Sequence, residues 1–546
     1  METRRTGRAA QAAALALPLV LAACGGGGDD AGTATATQAC ERMAAQALPA
    51  TRITQATLVE AETTRPAGVT SGPFLPQHCI VQGLVNERTG VDGKSYAIGF
   101  QLRLPTDWNG RFFYQGGGGN DGVVAPAMGN NTGATGAQDN ALLRGFAVVT
   151  TDAGHQGANP LFGLDPLARI DHAYNAYDVT TRTAKALINA RYGRAPDRSY
   201  FIGCSGGGNQ GLTLAQRFPQ HFDGIIATAP AMSVAKGASI SVAWMTQQFH
   251  AIAPKDANNL PIVSQAFSNA DLTLVADTIK AQCDAQDGLA DGLVSHPAAC
   301  SFDPAVLQCA GAKTATCLSA PQVTALKAAF AGPKNSANQP LYHPWPWDPG
   351  IAAGGWRAWT LGTSSTSTSN ALYTLLMEPT IGYEFVTPPD TTIRLSTFNF
   401  DTDPPRMDAY DSIYGNWRDT TLAGYRQRGG KLMIFHGMAD PIFSATESQR
   451  WYEQLTTNNG GAANTQAFAR LFQIPGMTHC SGGPATDAWD GLTALVDWVE
   501  KGQAPARVLA RGTTALPNVS RPLCPYPQHA RYTGTSPNDA ASFTCQ

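Results

Sequence analysis

Charge is scarce in this sequence. Only 14% of the 546 residues are Asp, Glu, Lys or Arg and the formal net charge is −3, so the basic excess that would hold nucleic acid is missing. The eleven cysteines include no Cys-x-x-Cys pair, which removes the common structural zinc arrangements. No internal repeat is present. The apolar run QAAALALPLVLAA (11–23) falls short of the roughly 20 residues of a membrane-spanning helix. The glycine run in FFYQGGGGND is not followed by a Lys-Ser/Thr pair, so it lacks the signature of a phosphate-cradling loop. These absences leave a neutral or aromatic small molecule as the expected partner, with no nucleic acid and no organic cofactor. Nothing in the sequence sets the oligomeric state.

What is present begins at the N-terminus. METRRTGRAA is basic, the apolar run follows, and Leu21-Ala22-Ala23-Cys24 precedes GGGGDD. That order reads as a bacterial lipoprotein signal (1–23) cut before Cys24, whose thiol takes the lipid, with a flexible tether over 24–37. An ordinary secretory signal cut nearby is the alternative. Either way the protein is expected to be exported, as a periplasmic or outer-membrane lipoprotein touching the membrane only through that anchor, or as a secreted protein. The ten remaining cysteines are an even number, as an oxidising compartment favours. Sequence order suggests Cys40 with Cys79, Cys283 with Cys300, Cys309 with Cys317 and Cys524 with Cys545, leaving Cys204 and Cys480.

From Tyr96 onward the pattern is α/β. YAIGFQLRL, RFFYQ and GFAVVTTDAG read as strands, residues 171–192 have apolar residues at helical spacing, and SYFIG follows as a short buried strand. Residues 209–218 read as helix and GIIATAP as strand. Strands alternating with helices imply a mostly parallel sheet. The rhythm is lost between about Ser233 and Thr420, which reads as an insertion. It returns with KLMIFHGMAD, a helix from Ser444 to Leu455, ARLFQIPGMTHC and a last helix in DGLTALVDWVEKG.

Gly203-Cys204-Ser205-Gly206-Gly207 fits G-x-S-x-G between a strand and a helix, where a sharp turn lifts the serine hydroxyl above the sheet. A serine hydroxyl needs a base oriented by a carboxylate, in the chain order Ser, Asp, His. Asp440 ends one strand and His479 lies in GMTHCSGG after the next, so Ser205, Asp440 and His479 are the expected triad. Asp152 is the rival carboxylate. His436 precedes the aspartate and is read as lining the pocket. If Ser205 and His479 meet, Cys204 and Cys480 are close enough for a disulfide, since adjacent Cα atoms are about 3.8 Å apart. Cys204 is then a clamp; Cys204 as nucleophile is the competing reading. The expected oxyanion donors are the backbone N–H groups of Gly206 and of Gly119 in the Gly116–Gly119 run. In CDAQDGLADGL, Asp284, Asp287 and Asp291 place hard oxygen ligands at a density that suits calcium, without the closing glutamate of an EF-hand loop.

Through FFYQGGGGNDG, SYFIGCSGGG, CDAQDGLADG, FHGMADPIFS, PGMTHCSGGP and RPLCPYPQ, the chain resembles the tannase and feruloyl esterase family of α/β-hydrolases from about Cys40 to Cys545. The resemblance implies an α/β-hydrolase core in two parts (38–232 and 421–546) and a lid over 233–420 inserted between nucleophile and catalytic acid. It implies the same triad and the Cys204–Cys480 bridge. It also implies structural calcium in the lid, on Asp284, Asp287 and Asp291 with the Leu289 and Leu293 carbonyls. By position, Trp359, Phe385, His436 and Phe443 become walls for an aromatic acyl group. The bacterial branch that hydrolyses mono(2-hydroxyethyl) terephthalate has a lid arginine for the free carboxylate, whereas this sequence has no Arg or Lys between Arg357 and Arg394. Losing such a pair costs roughly 1.5 to 3 kcal/mol of recognition. The expected activity is therefore a serine carboxylesterase acting on feruloyl- or galloyl-type esters. Hydrolysis of terephthalate or related phthalate-type monoesters is the alternative, and a non-catalytic binding protein on the same scaffold is the alternative of another class.

Overall fold

The computed structural model describes residues 30–63, 74–130 and 139–546. The signal segment and Cys24 lie outside them. Of the expected tether, residues 30–37 are helical in the structure, as part of the helix Asp30–Glu41. That helix continues to Cys40, whose disulfide to Cys79 fastens it to the sheet.

Nine strands form the central sheet: β1 (Thr51–Val59), β2 (His78–Thr89), β3 (Ser95–Pro105), β4 (Arg111–Gln115), β5 (Ala147–Thr151), β6 (Arg198–Cys204), β7 (Gly224–Thr228), β8 (Lys431–Gly437) and β9 (Ala469–Ile474). Their spatial order is β1-β2-β3-β5-β4-β6-β7-β8-β9. β1, β2, β3 and β5 pair antiparallel in turn, and every pairing from β5 through β4 to β9 is parallel. β5 and β7 are buried along their whole length, as strands covered on both faces must be. Side chains alternate between the two faces. Phe112, Tyr114, Phe201, Ile225 and Leu432 enter one apolar cluster with Leu212 and Trp451. Phe113, Tyr200, Ile202, Ile226 and Met433 enter the other with Leu495 and Trp498. This is the α/β-hydrolase architecture expected from the sequence.

Between β7 and β8 the chain adds no strand to this sheet. The insertion is built of helices and short turns around its own apolar cluster, including Phe249, Phe267, Val275, Trp356 and Tyr410. That cluster is continuous with Ile442 and Phe443 just after β8. The insertion is thus packed against the loop that leaves the sheet beside Asp440. All five expected disulfides are formed, including Cys204–Cys480, 276 positions apart. Among the described residues no helix is long and apolar enough to cross a membrane.

Candidate active site

β6 ends at Cys204 and the helix Gly206–Arg217 begins immediately, three residues earlier than the sequence pattern suggests. Ser205 occupies the joint at φ 62° and ψ −122°, a conformation that costs a non-glycine residue on the order of 1–3 kcal/mol and persists only where its surroundings enforce it. They do so here: the Ser205 N–H donates to the Thr228 carbonyl at 3.0 Å, and its own carbonyl accepts from the N–H groups of Asn209 (3.1 Å) and Ala231 (3.3 Å). Glycine is required beside it. A Cβ on Gly203 would lie 2.6 Å from the carbonyl carbon of Gly207, and one on Gly207 would lie 2.6 Å from the Gly117 oxygen.

That second contact shows how the Gly116–Gly119 loop after β4 reaches the joint. The loop lies against Gly206, where a Cβ would stand 3.5 Å from the Gly119 nitrogen, so the backbones carrying the two expected oxyanion donors are neighbours. Gln210, buried in the helix that follows Ser205, holds the loop there. Its side-chain oxygen accepts from the Gly117 N–H at 3.1 Å and its amide donates to Asp121 Oδ2 at 2.8 Å. Burial pushes the Asp121 carboxyl up to about 6. Nothing in the local sequence marks Gln210 for this part.

His479 Nδ1 stands 2.7 Å from Asp440 Oδ2, and the other oxygen, Oδ1, accepts from the N–H groups of Ile442 (2.9 Å) and Phe443 (3.1 Å). Burial of Asp440 opposes ionisation, but the positive charge of His479, its hydrogen bond and the nearby His436 ring outweigh it and hold the carboxyl well below the usual range. A carboxylate beside Nδ1 places the proton there and leaves the Nε2 lone pair available as a base. The imidazole is boxed edge-on by Trp359 and Phe443, each ring centre 5.4 Å away. The insertion holds the loop of Asp440, with Trp345 donating to the Asp440 carbonyl at 3.0 Å and Tyr373 to that of Pro441. Lid Asp348 accepts from the Gly476 N–H at 3.0 Å, three positions before His479.

Ser205 and His479 line one cleft of about 500 Å³ together with Gly116–Gly119, Cys204, Cys480, Trp359 and Leu376. A narrower inner pocket of about 40 Å³ starts at Ser205 and is walled by Trp359, Phe385, Phe443 and the buried polar residues His172 and Glu384. His436 is a correction. It lines neither cavity, because its place in β8 turns it behind Asp440, with Nε2 3.6 Å from Asp440 Oδ2 and 3.0 Å from the Phe443 carbonyl, and Nδ1 2.7 Å from the Ser448 hydroxyl. Asp152, the rival carboxylate, is buried and occupied by the N–H groups of Gly99 and Gly154 and by Gln156.

The chain belongs to the tannase and feruloyl esterase family. The family described as "Tannase and feruloyl esterase" matches residues 80–546. Over 90% of its length the chain is 45% identical to mono(2-hydroxyethyl) terephthalate hydrolase of Piscinibacter sakaiensis, of which it covers 88%. It is 29% identical to feruloyl esterase B of Aspergillus niger across 81% of this chain and 82% of that one. Among solved structures, feruloyl esterase B of Aspergillus oryzae superposes with a TM-score of 0.77 at 26% identity, covering 93% of this chain and all of that one. The protein is a carboxylic ester hydrolase, and the reading as a non-catalytic scaffold is set aside.

The acidic loop of this esterase is less convergent than its spacing suggests. Asp291 is turned to Arg521 in a C-terminal strand, and among the described residues no three Asp, Glu, His or Cys side chains gather as a ready metal cage. Asp284 and Asp287 do fit a cation. Burial raises both carboxyls, Asp287 to about 6, and Asp284 Oδ1 is buried without a partner.

The Cys204–Cys480 bridge spans Cα atoms 6.0 Å apart and joins the turn of Ser205 to the loop of His479, where Cys480 itself has a φ of 66°. The double variant Cys204→Ala/Cys480→Ala is expected to lose about 2–4 kcal/mol of stability and roughly tenfold or more in kcat through misplacement of the two groups. Denaturant unfolding and p-nitrophenyl ester turnover measure the two effects; an unchanged kcat would remove the bridge from the account.

Proposed function

We propose that this esterase hydrolyses esters of aromatic carboxylic acids, of feruloyl or galloyl type, through Ser205, His479 and Asp440 and a covalent acyl-enzyme. The observation that carries the reading is the His479–Asp440 hydrogen bond on the same cleft as a serine held at a strained strand-to-helix turn. Ser205 Oγ attacks the ester carbonyl while His479 Nε2 takes its proton. The N–H groups of Gly206 and Gly119 stabilise the oxyanion, and Asp440 stabilises the imidazolium. His479 then gives the proton to the departing alkoxide. Water repeats the sequence in reverse and frees the acid. Trp359, Phe385 and Phe443 supply the apolar walls for an aromatic acyl group.

Terephthalate monoesters are the second reading, favoured by the relative of that name. Against it, no Lys or Arg lines either cavity beside Ser205. In the lid, calcium on Asp284 and Asp287, with Asp291 and the Leu289 and Leu293 carbonyls, would neutralise carboxylates that burial now penalises and so brace the acidic loop. The disulfides support export, with a lipid on Cys24 as its anchor.

Ser205→Ala is expected to abolish hydrolysis of methyl ferulate and p-nitrophenyl esters with the unfolding midpoint retained. Turnover equal to the parent would reject the nucleophile. A calcium chelator is expected to lower the melting temperature, and re-addition of calcium to restore it. A melting temperature indifferent to both would reject the metal site.

A further inference from the structure

The peptide that carries the Gly119 N–H is held from its other side. The Asp121 N–H donates to the Gly118 carbonyl at 3.1 Å, and the carbonyl and N–H of one trans peptide point in opposite directions. Anchoring the Gly118 oxygen therefore aims the Gly119 N–H, the proposed oxyanion donor. Asp121 makes this bond from a φ of 32°, on the positive side that a non-glycine residue rarely adopts. Its carboxylate lies against the same loop, since a Cβ on Gly117 would stand 2.4 Å from Asp121 Oδ2.

The side chain makes a second tie, through Gln210. An ionised carboxylate only accepts, so the 2.8 Å bond from Gln210 Nε2 to Asp121 Oδ2 fixes which end of the amide faces which neighbour. The amide oxygen is left to accept from the Gly117 N–H at 3.1 Å. Protonation of Asp121 removes that rule. A protonated carboxyl can donate to the Gln210 oxygen, which turns the amide NH2 towards the Gly117 N–H, donor against donor. Both side chains are buried, where an unpaired donor costs most.

We propose that Asp121 and Gln210 are positioning residues for the oxyanion donors, and that the glycine loop is set for catalysis only while Asp121 is ionised. The inference rests on the serine-esterase reading above and adds to it a proton site outside the triad. The groups that face Asp121 and its turn are Tyr114 from β4, Asp152 and His155 beyond β5, His172 and Tyr177 ahead of β6, and Tyr414 from the insertion. Burial keeps the three tyrosines and His155 neutral. Burial raises Asp121 to about 6 against the opposing charge of His172; burial opposes that charge too, and Glu384 outweighs it. Asp152 is pushed up by burial to about 7, but its oxygens serve Gly99, Gly154 and Gln156 rather than the glycine loop. Activity is therefore lost as pH falls through about 6 by a proton taken up at Asp121, in addition to the one that disables His479 as a base.

The test follows kcat and KM for p-nitrophenyl butyrate across the acid and alkaline limbs, with amide hydrogen exchange of residues 115–122 measured on the same proteins. The wild type is expected to lose kcat on the acid side with two protons and Asp121→Asn with one. At alkaline pH the kcat of that variant should be about tenfold to a hundredfold lower with KM little changed, and exchange in the loop faster. Asp152→Asn should keep the two-proton limb. Gln210→Glu should reverse the sign: with one proton shared between the two carboxyls the new side chain still donates to Asp121 and accepts from Gly117, so kcat falls as pH rises and that proton leaves. This variant also carries the test if Asp121→Asn does not fold. Parental kcat in Asp121→Asn, a two-proton limb that survives there, or its loss in Asp152→Asn instead would overturn the proposal. So would faster exchange with kcat unchanged, which leaves the triad standing. Turnover retained by Ser205→Ala defeats the serine mechanism, and this inference with it, by a separate readout.

Discussion

The positive φ of Ser205 is the constraint on which the site depends. A serine does not rest there unaided. It is held by hydrogen bonds to Thr228 at the end of β7 and from Asn209 and Ala231, and by a glycine surround that lets three backbone segments meet without Cβ atoms. The same close approach that bends the chain at Ser205 brings the Gly116–Gly119 loop to Gly206. The proposed nucleophile and oxyanion donors are therefore set by one packing event rather than two. Gln210 extends that coupling, since a single side chain belongs to the helix after Ser205 and bonds the glycine loop.

Asp440 and His479, the proposed acid and base, arrive from the other side of the insertion, and the structure joins them to the first half by two independent means. The Cys204–Cys480 bridge fixes the distance between the two loops, while Trp345, Asp348 and Tyr373 fasten the backbones of Asp440, Gly476 and Pro441 to the lid. The insertion is thus also part of the frame that positions His479. Its inner turns bring Trp359 and Phe385 into the pocket that begins at Ser205.

Much of this was legible in the sequence because its signals are local. The G-x-S-x-G turn lies between an apolar strand and a helix, Asp440 and His479 follow strand ends in the right order, and cysteine order named the bridges. What escaped depends on contacts distant in sequence. Glu384 meets His172 across 212 positions, and neither stands in a motif. The contact of Asp291 with Arg521 spans 230 positions, and nothing in the acidic loop announces it. His436 was misplaced for a geometric reason: four residues before Asp440 it is still within β8, so it points behind the carboxylate rather than into the cleft. β1 and β2 escaped because β1 is an edge strand with weak alternation, half exposed along its length.

The central claim is that Ser205 is made nucleophilic by His479 in a folded, bridged site. Its most direct measurement is the rate of labelling by a fluorophosphonate, with the modified peptide located by mass spectrometry. The account predicts one label per chain, on Ser205, and a labelling rate about 10²–10⁴-fold lower in the His479→Ala protein. A label on another residue, or a rate at Ser205 that does not change when His479 is removed, would contradict it.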